Sequence, residues 1–250
     1  MIGIFDSGIG GLTVAKQVIK RLPNCSLTYF GDTARLPYGT KGPEFVKKYS
    51  EKITEWLIQK NAKAIVIACH TSSAWAGDYL RKKFNIPIFD VLSSSVDKIN
   101  FKKIGIIGTP GTIKSGAWER GILERNPSAK IYSKACPLFV PLAEEGIVSG
   151  IIAEKTAENY LKGLAKVDAL VLACTHYPLL ARVIRKTVGR QVKIIDPGVI
   201  LAKDIEGAFV EREEKPSISI FFSDVPYNFG KISKSLKMES EITVKDPFYE

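Results

Sequence analysis

The chain has 250 residues, of which 45% are hydrophobic and 25% charged, and it carries a formal net charge of +10. No run of about 20 apolar residues could cross a bilayer, and the start of the chain lacks a basic-then-apolar leader, so we expect a cytoplasmic protein without membrane contact. The basic residues occur in scattered pairs such as Lys47-Lys48 and Lys82-Lys83. No dense basic stripe or nucleic-acid motif is present, so no nucleic-acid partner is expected.

Strands and helices alternate along the chain. Short apolar runs predict strands at 2–6, 26–31, 64–69, 87–91, 104–108, 129–132, 169–174 and 192–196. Helical spacing predicts helices near 12–21, 43–60, 72–84, 112–124, 138–147, 154–165 and 178–188. The tail after about 205 is expected to hold a helix and two strands, at 217–222 and 242–244. Repeated strand–helix units predict an α/β fold with mainly parallel sheets and right-handed crossovers.

The two halves of the chain resemble each other. An opening strand, an apolar strand ending in cysteine and a closing strand each recur at offsets of 102, 105 and 106 residues, in the pairs 2–8 and 104–110, 64–69 and 169–174, and 87–90 and 193–196. We therefore predict two similar doubly wound domains related by internal pseudo-symmetry, with the active site in the cleft between them. The predicted domains are 1–92 together with the returning tail 206–250, and 93–205.

Cys69 and Cys174 end the two matching apolar strands and are followed by polar residues. Open α/β sheets bind ligands at the carboxyl edge of their strands, and a following helix N-terminus favours a thiolate. For Cys25 and Cys136 we expect the ordinary role of a small buried apolar side chain. Four cysteines beside apolar runs fit reduced thiols rather than a disulfide framework. No metal is expected, because the Cys-x-x-Cys spacing of zinc sites is absent.

The glycine-rich segment 5–11 joins the first strand to the first helix. Such a turn exposes backbone N–H groups that can bind a phosphate or a carboxylate. Its glycines at 8, 10 and 11 do not form GxGxxG, and the lysine of a P-loop is missing. The segment resembles the acidic phosphate loops of sugar- and acetate-kinase-like ATPases. An ATP- or phosphate-binding protein using residues 6–11 is therefore the alternative from another functional class.

Several motifs together resemble glutamate racemases, of the cofactor-independent aspartate/glutamate racemase superfamily. They are 6–12, 31–32 with 37–39, 68–69, 136–137 with Glu144, and 174–180. The last motif, Cys-Thr-His-Tyr-Pro-Leu-Leu, is the most specific, and the resemblance covers nearly the whole chain. It implies interconversion of L- and D-glutamate without pyridoxal phosphate, metal or another cofactor, supplying D-glutamate for peptidoglycan. It also leads us to expect glutamate as small-molecule partner and a homodimer.

The same resemblance implies roles for individual residues. Cys69 and Cys174 would act as the two bases, one on each face of the substrate, with Asp6 and Glu144 or His176 assisting the thiols. The implied substrate contacts are Asp6, Ser7, Pro37, Tyr38, Gly39, His70, Thr71, Thr109, Thr112, Thr175 and His176.

The sequence departs from the family pattern beside both cysteines. His70 stands where the family has asparagine, and Ala173 where a glycine is expected. A neutral imidazole can replace one amide hydrogen bond, whereas an imidazolium would favour the Cys69 thiolate. Changes at these two positions are expected to affect the choice of substrate more than the class of reaction. A racemase of another acidic amino acid, such as aspartate, is therefore an alternative.

Overall fold

A computed structural model describes residues 1–208, 214–225, 230 and 242–248. The strands are β1 Ile2–Asp6, β2 Leu27–Gly31, β3 Ala64–Ile67, β4 Ile88–Asp90, β5 Lys103–Gly108, β6 Lys130–Ala135, β7 Ala169–Ala173, β8 Lys193–Ile195, β9 Ile218–Phe222 and β10 Ile242–Val244. The helices are α1 Leu12–Arg21, α2 Pro43–Gln59, α3 His70–Lys83, α4 Ser93–Val96, α5 Pro110–Ser115, α6 Ala117–Arg125, α7 Phe139–Glu144, α8 Ile151–Leu161, α9 Ala181–Val188 and α10 Pro197–Ala208. Short 3₁₀ turns lie at Thr33–Arg35, Tyr38–Thr40, Leu164–Lys166 and Tyr177–Leu180.

The strands form two parallel sheets with the same internal order. One sheet runs β10-β9-β2-β1-β3-β4 and the other β6-β5-β7-β8. In each half the first strand lies between the second and the third, and the fourth strand follows the third; every pair is parallel. The predicted α/β fold with two similar parallel-sheet halves is confirmed.

Both faces of the first sheet are covered by helices, as a doubly wound fold requires. Along β1, Ile2 and Ile4 pack into a core shared with α1 and α10, whereas Phe5 packs into a core shared with α2 and α3. This alternation follows from the two-residue period of a strand. A parallel strand covered on both faces is apolar over most of its length. All five residues of β1 are buried, and Asp6 at its carboxyl end is the charged one.

The chain after β8 packs against the first half. Three residues of α10, Leu201, Ala202 and Ile205, lie in the same core as Ile2 and Ile4. Beyond it, β9 pairs with β2, and β10 extends the same sheet. Helix α10 packs on the first half, but its residues 197–205 lie in the range predicted for the second domain. The domain bounds drawn from the sequence stay a prediction. Most of the predicted tail helix lies outside the described residues.

Several helix ends differ from the prediction for local reasons. Helix α3 begins at His70 because Cys69 is its N-cap, accepting the Ser72 N–H at 3.5 Å. The single helix predicted at 112–124 is two helices, α5 and α6, since Gly116 takes a left-handed conformation with φ 64°. The ends of β6, α7, α8 and α9 shift by a few residues, as expected for boundaries read from sequence. In the described part of the chain, the helices are too short or too polar to cross a membrane.

Replacing Ile4 by alanine tests the importance of this core. Ile4 is fully buried in the central strand, so Ile4→Ala is expected to lower the free energy of unfolding by about 2–5 kcal/mol. Ile151→Ala is the matched control, since Ile151 is 67% exposed and its truncation should cost less than about 0.5 kcal/mol. Urea unfolding followed by circular dichroism measures both variants. Equal losses would contradict the assignment of the core.

Candidate active site

Cys69 and Cys174 border the same small cavity between the two halves. Each follows the carboxyl end of its strand, β3 or β7, and neither takes part in a disulfide. The cavity measures about 20 Å³. It is lined by Ser7, Pro37, Gly39, Cys69, His70, Thr71, Thr109, Thr112, Val140, Ala173, Cys174, Thr175 and His176. Eleven of these lining residues were selected from the sequence, whereas Asp6, Tyr38 and Glu144 lie behind the cavity wall.

Cys69 is a buried thiol with neutral hydrogen-bond donors around it. Burial and, to a smaller extent, the negative charge of Asp6 raise the pKa of the Cys69 thiol to about 11. The backbone N–H of Ser72 donates to Sγ at 3.5 Å and, with the side chains of Ser72 and Ser7, acts in the opposite direction. This sulfur therefore holds its proton unless the bound substrate or its neighbours favour the thiolate.

Cys174 has a charged neighbour instead. Its Sγ lies 3.9 Å from Nδ1 of His176, whose Nε2 lies 3.0 Å from Oε1 of Glu144. Burial lowers the pKa of His176, but the hydrogen bonds to Cys174 and Glu144 outweigh burial and raise that pKa to about 10. An imidazolium between a sulfur and a carboxylate can donate one N–H hydrogen bond to each, so the positive charge of His176 lies next to Cys174.

Asp6 organises the glycine-rich turn from inside. Its Oδ2 accepts the N–H groups of Gly8 and Gly11, each at 3.1 Å, and Thr175 donates its hydroxyl to Oδ1 at 3.4 Å. Burial raises the pKa of this carboxyl, while His176 and the hydrogen bonds oppose that rise. The Gly8 and Gly11 N–H groups, which a phosphate loop would offer to its ligand, are already bound to Asp6. The turn therefore does not support the ATP- or phosphate-binding alternative.

Glycine is required where this turn meets the other half of the chain. A Cβ on Gly10 would lie 2.5 Å from the His176 ring and 2.6 Å from Oγ1 of Thr175. A Cβ on Gly11 would lie 2.3 Å from that of Asp6. The turn can pack this closely only without side chains: Gly10 packs against the second half, and Gly11 packs against Asp6 within the first half.

The segment 37–39 presents its ends to the cavity and its central side chain to the protein interior. Pro37 and Gly39 line the cavity, whereas the Tyr38 hydroxyl donates to Oδ2 of Asp32 at 2.6 Å. A Cβ on Gly39 would lie 2.4 Å from that of Thr109, so the segment packs tightly against the second half. The structure thus places the Tyr38 side chain outside the cavity, and its substrate contact stays a prediction.

Three threonine hydroxyls meet where the halves join. Oγ1 of Thr71 lies 3.1 Å from that of Thr109 and 2.9 Å from that of Thr112, and the latter two are 3.0 Å apart. Thr71 belongs to the first turn of α3, and Thr109 caps α5. Hydroxyls can turn their protons toward an acceptor, so this cluster can hydrogen-bond a carboxylate.

His70 differs from His176 in its surroundings. Its ring stacks on Trp118 with centroids 5.7 Å apart and an interplanar angle of 27°. Burial alone lowers the pKa of His70 to about 3, and its Nδ1 has no hydrogen-bond partner among the described residues. The imidazole is therefore neutral, so it supplies no positive charge to Cys69.

Sequence reasoning missed two cavity residues, Val140 and Ala173. Both are apolar, and apolar residues in a strand, like Ala173, or on a helix, like Val140, look like ordinary core. A signal existed for Val140, which lies four residues before Glu144 on α7 and therefore on the same helix face. Among the described residues, no group of three or more His, Cys, Asp or Glu side chains is arranged to hold a metal ion.

The sequence and the fold are similar to those of known proteins. Residues 12–205 match the Asp/Glu/Hydantoin racemase family, and the chain belongs to that family. The glutamate racemase of Geobacter metallireducens is 46% identical, over 92% of this chain and 90% of its own. The crystal structure of Francisella tularensis glutamate racemase in complex with D-glutamate aligns with a TM-score of 0.90 at 38% identity, covering 98% and 95% of the two chains. Picrophilus torridus aspartate racemase aligns with a TM-score of 0.58 at 21% identity, over 85% and 96%, which shows the fold alone.

The two histidines give a direct test of these charge states. The chain contains two histidines, so each should give a separate imidazole signal in nuclear magnetic resonance. Between about pH 5 and 8, where an ordinary histidine titrates near 6.5, neither signal should titrate. His176 should stay protonated and lose its proton near pH 10, and His70 should stay neutral down to about pH 3.

Glu144→Gln is the matched variant for this titration. It removes the carboxylate partner, so the His176 pKa should fall while the His70 signal stays unchanged. A midpoint near 6.5 for either histidine in the unmodified protein would contradict the described environments.

Proposed function

We propose that this protein interconverts L- and D-glutamate by removing the α-proton and returning it to the opposite face, without a cofactor. The observation that carries the proposal is the pair of buried cysteines, Cys69 and Cys174, which reach one cavity from matching strands of the two halves. Further support comes from the relatives that are named glutamate racemases. Racemisation of aspartate, whose side chain is one methylene shorter, stays the alternative within the same reaction class.

Each thiol has one role in each direction of the reaction. One thiolate takes the α-proton and becomes a thiol, while the other thiol gives its proton to the opposite face of Cα and becomes a thiolate. In the reverse direction the roles exchange. Mirror-image substrates need an acid or base on both sides, and the duplicated strands β3 and β7 supply them.

The negative charge that develops on the substrate must be stabilised without bulk water. Hydroxyls of Ser7, Thr71, Thr109, Thr112 and Thr175 face the cavity or border it. The first turn of α3 adds backbone N–H groups and the positive end of its dipole. Because these dipoles are already oriented, they stabilise charge with little rearrangement.

Substrate entry requires the cleft to widen. A cavity of about 20 Å³ has room for about one water molecule, less than glutamate needs. The halves meet through side chains on loops and helix ends, such as Thr71 with Thr109 and Thr13 with the carbonyl of Thr175. We infer that these contacts open to admit the substrate and close around it, which excludes water during proton transfer.

The setting of the reaction is also part of the proposal. D-glutamate would supply peptidoglycan synthesis, and the reaction would take place in the cytoplasm, where thiols stay reduced. We propose a homodimer from the resemblance, which light scattering of the purified protein would test.

Exchange of the α-proton with solvent tests the reaction. Incubating the protein with L-glutamate in deuterium oxide and EDTA should place deuterium at the α-carbon and reduce the optical rotation to zero. Faster exchange with L-aspartate would shift the assignment to the other acidic amino acid. Nucleotide-dependent thermal stabilisation without any exchange would favour phosphate binding.

Removal of either sulfur tests the two-base mechanism. Cys69→Ala and Cys174→Ala should each lower racemisation by about 100- to 10,000-fold, the usual contribution of a positioned acid or base. Cys25→Ala is the matched control, because Cys25 is buried in the core of the first half. It should retain racemisation, measured by circular dichroism with either enantiomer. Near-normal turnover in either of the first two variants would rule out a base on each face.

A further inference from the structure

The buried carboxylate of Asp32 connects the cavity loop to the end of the chain. Its Oδ2 accepts the Tyr38 hydroxyl at 2.6 Å, and its Oδ1 accepts Nη1 of Arg35 at 2.6 Å and Oγ of Ser223 at 2.8 Å. Asp32 is fully buried. A buried carboxylate requires such partners, so the positions of Tyr38 and Arg35 are determined together.

Arg35 continues this connection to the C-terminal segment. While Nη1 binds Asp32, Nη2 binds Oδ2 of Asp246 at 2.6 Å. The guanidinium lies 4.6 Å from the ring centroid of Tyr49 and 5.6 Å from that of Phe248. The side chains of Arg35 and Asp246 are each 11% exposed, so solvent screens this ion pair much less than a surface pair.

The other end of the connection is the cavity itself. Tyr38 is fully buried, edge-on to Phe45, between two residues that line the cavity, Pro37 and Gly39. Gly39 packs directly against Thr109, so a small displacement of the segment 37–39 changes the shape of the cavity. The planar guanidinium of Arg35 donates to the carboxylates of Asp32 and Asp246 from two different nitrogens, which fixes the orientation of both.

We propose that Asp246 is a positioning residue for the substrate, acting through Arg35, Asp32 and Tyr38 on the cavity segment 37–39. The inference rests on the proposed function, because its effect is measured on glutamate. The C-terminal segment 242–248 is thereby part of the substrate-binding apparatus, although it does not touch the cavity. Its loss loosens substrate binding more than it slows proton transfer, because both thiols are held by other elements.

Asp246→Asn tests the proposal by removing the charge while keeping the size. The expected result is a rise in KM for D-glutamate of about three- to tenfold, with kcat within about twofold, the pattern of lost uniform binding. Asp246→Glu keeps the carboxylate and should restore KM. The matched control is Glu206→Gln, which removes the carboxylate of the ion pair between Glu206 and Arg21. This pair joins α10 to α1, on the face of the first sheet opposite to α2. It should leave both constants unchanged.

A double variant separates positioning from a purely structural role. In a Tyr38→Phe background, which lacks the hydroxyl bound to Asp32, Asp246→Asn should add little further increase in KM. Unchanged KM in Asp246→Asn with only a lower Tm, or fully additive effects in the double variant, would overturn the proposal. If Asp246→Asn does not fold, Phe248→Leu removes the ring beside Arg35 and is expected to give the same rise in KM. An unmodified protein that does not racemise glutamate would instead contradict the proposed function.

Discussion

The central constraint on the proposed reaction is that a thiol acts as a base inside the protein, since Cys69 and Cys174 are both buried. Burial protects the reaction but holds the proton on sulfur, as the pKa of about 11 for Cys69 shows. The halves answer this constraint differently. Cys174 lies beside an imidazolium held by Glu144, whereas Cys69 has the N–H of Ser72 and neighbouring hydroxyls. The internal symmetry therefore applies to the positions of the sulfurs and not to their electrostatics.

Each half completes the site of the other. The turn after β1 packs Gly10 against His176, and Asp6 binds the Thr175 hydroxyl. The corresponding turn after β5 packs Thr109 against Gly39 and Thr71. Because the contacts are reciprocal, separation of the halves disturbs the surroundings of both sulfurs at once. In the proposed reaction, closure around a substrate would therefore also assemble the surroundings of both sulfurs.

The sequence predicted the strands well because β3 and β7 are apolar throughout and β1 is apolar up to Asp6 at its end, which is typical of buried parallel strands. The cavity was largely predictable as well, since its polar residues follow strand ends. Long-range side-chain contacts were not predictable. The stacking of His70 on Trp118 and the bond from Tyr38 to Asp32 depend on packing that no local pattern encodes. The exact helix ends were also not predicted, because they depend on capping details such as a cysteine acting as the N-cap of α3.

The unequal surroundings of the sulfurs still have to satisfy the thermodynamics of racemisation. Two enantiomers have the same free energy in water, so kcat/KM must be equal in the two directions at equilibrium. In the proposed reaction, one direction starts from the enzyme form with a Cys174 thiolate and a Cys69 thiol, and the positive charge of His176 lies next to that Cys174 sulfur. The other direction starts from the form in which Cys69 has lost its proton, although the pKa of that thiol is raised. The asymmetry can therefore give each enantiomer its own kcat and KM, while the ratio kcat/KM stays the same for both enantiomers.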